Sequence, residues 1–172
     1  MPINTKISAQ TFQNLDGTNF STAGLDAGIK VGNGSLGAYA GVGTNFTQGS
    51  TGAILDFKGS IPYGSSPVSG GFRVRNNFNG NSQTVQIRVQ PATVNIPISD
   101  NVSLYAVPYA AAKINYKSGQ TNFSGGLFAG TNIKMGKVTG FVEGQLYDFT
   151  KVDKTTVGFN AGVSVPINFG KK

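Results

Sequence analysis

The chain contains no cysteine, no histidine and no tryptophan. Without cysteine there is no disulfide framework, no thiolate nucleophile and no thiolate metal site. Without histidine the commonest general base and metal ligand is missing, which leaves carboxylates, lysines, tyrosines and hydroxyls for any chemistry. Charge is sparse as well: 12% of residues are Asp, Glu, Lys or Arg, against about a quarter in a typical soluble domain. Such a surface is either coated with Asn, Ser, Thr and Gly or not wholly in contact with water. No apolar run reaches the roughly 18 residues that a membrane-crossing helix needs. The first residues, Met-Pro-Ile-Asn-Thr-Lys, hold no apolar core of signal-peptide length, which leaves a cytosolic chain and a mature exported chain both open.

What charge there is leans positive, with 14 Lys plus Arg against 7 Asp plus Glu and a net of +7, and this excess favours an anionic partner. At 172 residues the chain reads as one domain, 1–172, long enough to close one barrel or sandwich.

Glycine is abundant, with 25 residues, and it is patterned. The frame G-x-x-A-G occurs at 24–28, 37–41, 126–130 and 158–162. Around it the apolar residues recur with a period of two, the signature of strands with one apolar face. Residues 22–31 place Ala23, Leu25, Ala27, Ile29 and Val31 opposite Gly24, Asp26, Gly28 and Lys30. After the hairpin signal Gly32-Asn33-Gly34-Ser35, Leu36, Ala38, Ala40 and Val42 oppose Gly37, Tyr39, Gly41 and Gly43. The alternation continues through 53–63, 72–78 (weaker, because Asn76 intrudes), 85–98, 102–116, 121–135, 138–146 and 155–169. A phase change beside Pro91 predicts a bulge. Residues 3–13, with Ile3, Ile7 and Ala9, supply a tenth strand. Short links alternate roughly with longer ones near 47–52, 79–83, 117–120 and 150–154, as an up-and-down meander requires, with 64–71 a long link at the short end. No helix is predicted.

Alternation alone leaves two architectures. A lipocalin-like soluble barrel turns its apolar face inward to hold a small apolar ligand; a transmembrane barrel turns it toward lipid. Strands of about 9 to 15 residues match a tilted membrane strand better than a soluble one. Phe46, Tyr63, Phe78, Tyr116, Phe123, Tyr147, Phe149 and Phe169 stand near strand ends, as in an aromatic girdle. On the polar face glycine alternates with Tyr39, Tyr105 and Tyr109, which suits a narrow lumen where small residues make space for large ones. Lys30, Lys58, Arg73, Arg75, Arg88, Lys113 and Lys134 share that face. Each would cost roughly 2 to 4 kcal/mol if turned to lipid at mid-depth, so within a membrane the polar face lines the lumen. Pro108, in mid-strand, stands against a closed barrel.

The carboxylates on the same face, Asp26, Asp56 and Glu143, read as salt-bridge partners of these cations far more readily than as an acid–base pair. No cofactor, metal or nucleic-acid partner is expected. Arg73, Arg75 and Arg88 interleaved with Phe72 and Gln86 lack any accompanying RNA-binding signature.

The hairpin pattern, and the closing Gly162-Val-Ser-Val-Pro-Ile-Asn-Phe169, resemble the small bacterial outer-membrane β-barrel proteins. The resemblance implies an all-β, up-and-down antiparallel transmembrane barrel of ten strands, or eight, with both termini on the periplasmic side. It implies that the outer-membrane bilayer is the chief partner and that the protein is a monomer. The known enzymes of this architecture typically depend on a histidine, so a non-enzymatic role is expected. That role is surface contact or membrane integrity through the longer loops and a packed polar lumen, with a narrow anion-preferring pore as a further reading.

Overall fold

The computed structural model describes residues 3–15, 17–65, 67–79, 82–147 and 156–167. Ten strands follow one another along the chain: β1 Asn4–Asn14, β2 Asn19–Val31, β3 Gly34–Asn45, β4 Ser50–Pro62, β5 Val68–Asn79, β6 Ser82–Pro97, β7 Val102–Asn115, β8 Thr121–Met135, β9 Val138–Tyr147 and β10 Thr156–Ile167. Each pairs antiparallel with its neighbours in sequence. β1 pairs with β10 as well as β2, so the sheet closes into a barrel with no free edge. The N-terminal strand expected from Ile3, Ile7 and Ala9 is thus the element that closes it, with Ala9 opposite Val163 and Ala23.

The barrel is inside out relative to a soluble one. Leu25, Val42 and Val163 are 50%, 54% and 47% exposed on its outer wall. A water-soluble barrel holding an apolar ligand needs these residues inside, and they are not there. Phe46, Tyr63, Phe78, Tyr116 and Phe123 are exposed outer-wall residues near strand ends. Tyr147 is not among them: its ring contacts those of Phe12 and Phe128, which face the interior. Phe149 and Phe169 lie outside the described residues.

The irregularities have local causes. The β6–β7 register shifts between Val89 and Val94, and the β5–β6 register between Ser69 and Gly71, the bulge that the phase change at Pro91 predicts. Tyr63 donates a hydrogen bond to the Pro91 carbonyl at 2.8 Å, giving that carbonyl a partner at the break. The ladder from β7 to β6 has no pair between Ala106 and Ala110, while Pro108 pairs in register with Leu127 of β8. Pro108 therefore sits where the ladder is already interrupted, which is how a closed barrel accommodates it. Asn76, the polar residue that weakened the pattern of β5, accepts a hydrogen bond from Tyr116 Oη at 2.6 Å.

The links are shorter than the sequence suggests. β5 begins at Val68 and ends at Asn79, so the expected links over 64–71 and 79–83 shrink to 63–67 and 80–81. The reason at the first is visible: Gly70 pairs with Ile61 in the β4–β5 ladder, and the Tyr63 ring lies over it. Two links, 32–33 and 136–137, are two-residue hairpin turns opened by Gly32 and Gly136 at φ 56 and 61, a backbone region open to glycine. The longest link, 148–155, lies outside the described residues.

Candidate functional site

Period-two geometry sends alternate side chains of every strand into the lumen, and the glycines there are spacers. A Cβ on Gly24 or Gly41 would meet the Tyr39 ring, and one on Gly126 would meet the Tyr109 ring. The G-x-x-A-G frame is therefore a seat: glycine on the lumen side lets an aromatic ring lie flat against the wall, and alanine one position off looks outward.

Three adjoining cavities follow the lumen inward from the mouth at the chain-terminal end. The first, about 550 Å³, is lined by Lys6, Lys30 and Lys58 together with Asp26, Ser35 and Ser60. The second, about 260 Å³, shares Lys6, Asp26 and Lys58 with it and adds Tyr39, Arg73 and Arg75. The third, about 350 Å³, shares Arg73 and Arg75 with the second and adds Arg88, Tyr105, Glu143 and Asn160. Lys113 and Lys134 stand apart, exposed near opposite rims, and line none of these three cavities.

Register explains the pairings. Asp26, Tyr39, Asp56 and Arg75 are successive Cα partners across β2, β3, β4 and β5, so oppositely charged residues meet on one level. Asp26 accepts from Lys58 Nζ at 2.8 Å and from Ser8 Oγ at 2.5 Å. Asp56, 1% exposed, accepts at Oδ2 from Arg73 Nε at 2.6 Å and from Arg75 Nε and Nη2 at 3.2 and 3.1 Å. Arg73 Nη2 also contacts that oxygen. Glu143 has neutral partners: Tyr105 Oη donates at 2.9 Å, Asn160 Nδ2 at 3.3 Å, and Gln145 Nε2 completes the set. Each carboxylate is thus held by its own donors, a pairing network rather than an acid–base dyad. Among the described residues no group of three or more Asp or Glu could hold a metal ion.

Arg88 differs. Its guanidinium lies 4.4 Å from the Tyr109 ring centre and 4.5 Å from that of Phe128, two rings stacked 4.6 Å apart. Such contacts favour a cation without neutralising it. Beyond it Phe12, Phe20 and Tyr147 line the same cavity, and Ile54, 2% exposed, packs with Phe20 around Gly43. This aromatic layer is missing from the sequence reading. Parity alone would have revealed it: Phe128 falls between the outward Leu127 and Ala129 and between lumen glycines Gly126 and Gly130, and Ile54 falls between Ala53 and Leu55.

No protein-family model matches the sequence, nor does any curated protein. Among solved structures, the chain is similar to the KdgM porin at TM-score 0.52 and 12% identity, covering 95% of this chain and 99% of that one. It is also similar to a bacterial polysaccharide outer membrane secretin at TM-score 0.50 and 12% identity, over 96% of this chain and 66% of that one. Identities this low carry architecture alone, and on that ground, together with the apolar outer wall and the closed ten-strand ladder, the chain has the fold of the outer-membrane β-barrels.

Proposed function

We propose that the protein resides in a bacterial outer membrane as a non-enzymatic monomer whose narrow lumen passes small solutes with a preference for anions. The observation that carries this reading is the sign of the lining. Lys6, Lys30, Lys58, Arg73, Arg75 and Arg88 face the three adjoining cavities, against Asp26 and Glu143, with Asp56 buried behind Arg73 and Arg75. A ring of one sign in a narrow, low-dielectric passage selects the opposite ion. The likeness in fold to a porin supports a lumen that transmits solute. A role for surface loops draws little from the strand connections, since all except 148–155 have at most about five residues, a usual length for a hairpin link.

A second reading, a barrel that spans the membrane without conducting, is favoured by the aromatic layer of Phe12, Phe20, Phe128 and Tyr147. Planar bilayers decide between them. The refolded chain under a potassium chloride gradient is expected to give channels whose reversal potential has the sign of chloride selectivity. Silent bilayers, or cation selectivity, reject the pore.

A further inference from the structure

The Cα partner of Arg88 across the β5–β6 ladder is Arg73. Two like charges directly opposite each other destabilise a sheet. Asp56 engages only Arg73 of the two: its Oδ2 takes Arg73 and Arg75, and its buried Oδ1 has no hydrogen-bond partner. Arg88 donates to Gln86 at 3.4 Å, and its buried Nε has no hydrogen-bond partner. Glu143 also faces the cavity, but its oxygens take Tyr105, Gln145 and Asn160. Arg73, Arg75, Arg88 and Glu143 line about 350 Å³ of space; with Asp56 behind the first two, three guanidiniums against two carboxylates leave one positive charge, and the space is ample for a polyatomic ion with a few waters at roughly 30 Å³ of liquid volume each.

We infer that this cavity binds one compact oxyanion of the carboxylate or phosphate class, held chiefly by Arg88 with Arg73 beside it. One anion restores neutrality among the guanidiniums and gives the Arg88 Nε–H its missing acceptor. The planar guanidinium fork matches the paired oxygens of a carboxylate or phosphate, whereas chloride offers a single centre. The stacked rings of Tyr109 and Phe128 fix the guanidinium in advance, so less side-chain freedom is lost on binding. The inference deepens the anion-preferring lumen proposed above by adding a point at which the ion stops.

The test is a titration of the full chain, refolded in detergent micelles and labelled with ¹⁵N-arginine, with sodium acetate, sodium phosphate and sodium chloride in separate arms at constant ionic strength. Acetate or phosphate is expected to move the Arg88 Nε–H resonance along a saturating curve, and whichever saturates at the lower concentration identifies the class. Arg88→Lys, read on the Arg73 Nε–H resonance that the parent also shows, keeps the charge but loses the fork and is expected to weaken binding about tenfold or more; Lys113→Gln, at the rim, is expected to bind as the parent does. A response that never saturates or that chloride reproduces overturns the site, and so does wild-type binding by folded Arg88→Lys. A chain that binds the oxyanion yet carries no current rejects the pore and keeps the site; one that conducts anions with no saturable Arg88 response does the reverse.

Discussion

Asp56→Asn is the substitution that most directly weighs the lumen's charge. Asparagine keeps the shape and an acceptor oxygen, so packing is preserved and the change is almost purely one of charge. Asp56 is the carboxylate shared by Arg73 and Arg75 and is 1% exposed. Removing one partner of a buried ion pair costs about 3 to 5 kcal/mol, because the remaining charge stays buried and uncompensated. Against a total stability of about 5 to 15 kcal/mol this is a large fraction. With a urea slope of about 1 to 3 kcal/mol/M, the unfolding midpoint falls by about 1 M or more. The assay is reversible urea unfolding from phospholipid vesicles followed by circular dichroism. A second measurement isolates the cause: in an Arg75→Gln background the same substitution removes a carboxylate that faces one fewer cation, and its cost is expected to drop by half or more. An Asp56→Asn penalty below about 1 kcal/mol, unchanged in that background, refutes the argument, since charged neighbours in contact must couple.

Other expectations follow from the wall and the seats. Gly126→Val drives the Tyr109 ring from its place, losing its stack on Phe128 and its contact with Arg88; overpacking of this kind costs about 1 to 3 kcal/mol. In a Tyr109→Ala background most of that cost should vanish in the same unfolding assay, and full additivity would count against the ring-seat reading. Leu25→Arg, at the centre of the outer face of β2, is expected to cost roughly 2 to 4 kcal/mol in vesicles, and a neutral result would mean the wall does not face hydrocarbon. Pro108→Ala, opposite the gap in the β6 ladder, is expected to fall within about 0.5 kcal/mol of the parent; a clear stabilisation would show that the proline N–H was missed after all.

Strand identity and facing were readable because they depend on alternation, a local property. The even positions of β2 and odd positions of β3 carry Gly24, Asp26, Gly37 and Tyr39, and the Gly32 turn fixes which way the phase flips. Even the bulge left a local mark, the phase change beside Pro91. Link lengths were misjudged where glycine and serine resemble loop: Gly70 and Gly71 are strand residues because the Tyr63 ring and the β4 ladder hold them, and neither is near in sequence. The lumen aromatics were misread for a different reason. An apolar residue on the polar face breaks the simple pattern, so Tyr147 was counted in the girdle and Phe128 was given no place. Which charges meet was not readable, since that depends on the register of five separate ladders. Arg73 and Arg88 are fifteen positions apart, and only the two-residue link at 80–81 brings them opposite each other.

That juxtaposition carries the functional argument, because each lumen carboxylate has donors of its own and none of them is on Arg88. Asp26 has its lysine, Asp56 its arginines, Glu143 its neutral donors, and the rings over Gly41 and Gly126 have their seats. Like charges face each other along Lys58, Arg73 and Arg88; Lys58 has Asp26 and Arg73 has Asp56, while Arg88 has an unpartnered Nε and is braced by Tyr109 and Phe128. A glutamine at position 88 would satisfy the same ladder without the repulsion. Sequences break local rules chiefly where function requires it, and here the broken rule has a definite sign. It supplies positive charge, held in place ahead of time, at the inner end of a path that already begins with Lys6, Lys30 and Lys58. A structural role for Arg88, through its contacts with Tyr109 and Phe128, predicts that Arg88→Gln destabilises the empty barrel and leaves anion preference alone; a role in holding anions predicts a gain in stability with a loss of anion preference.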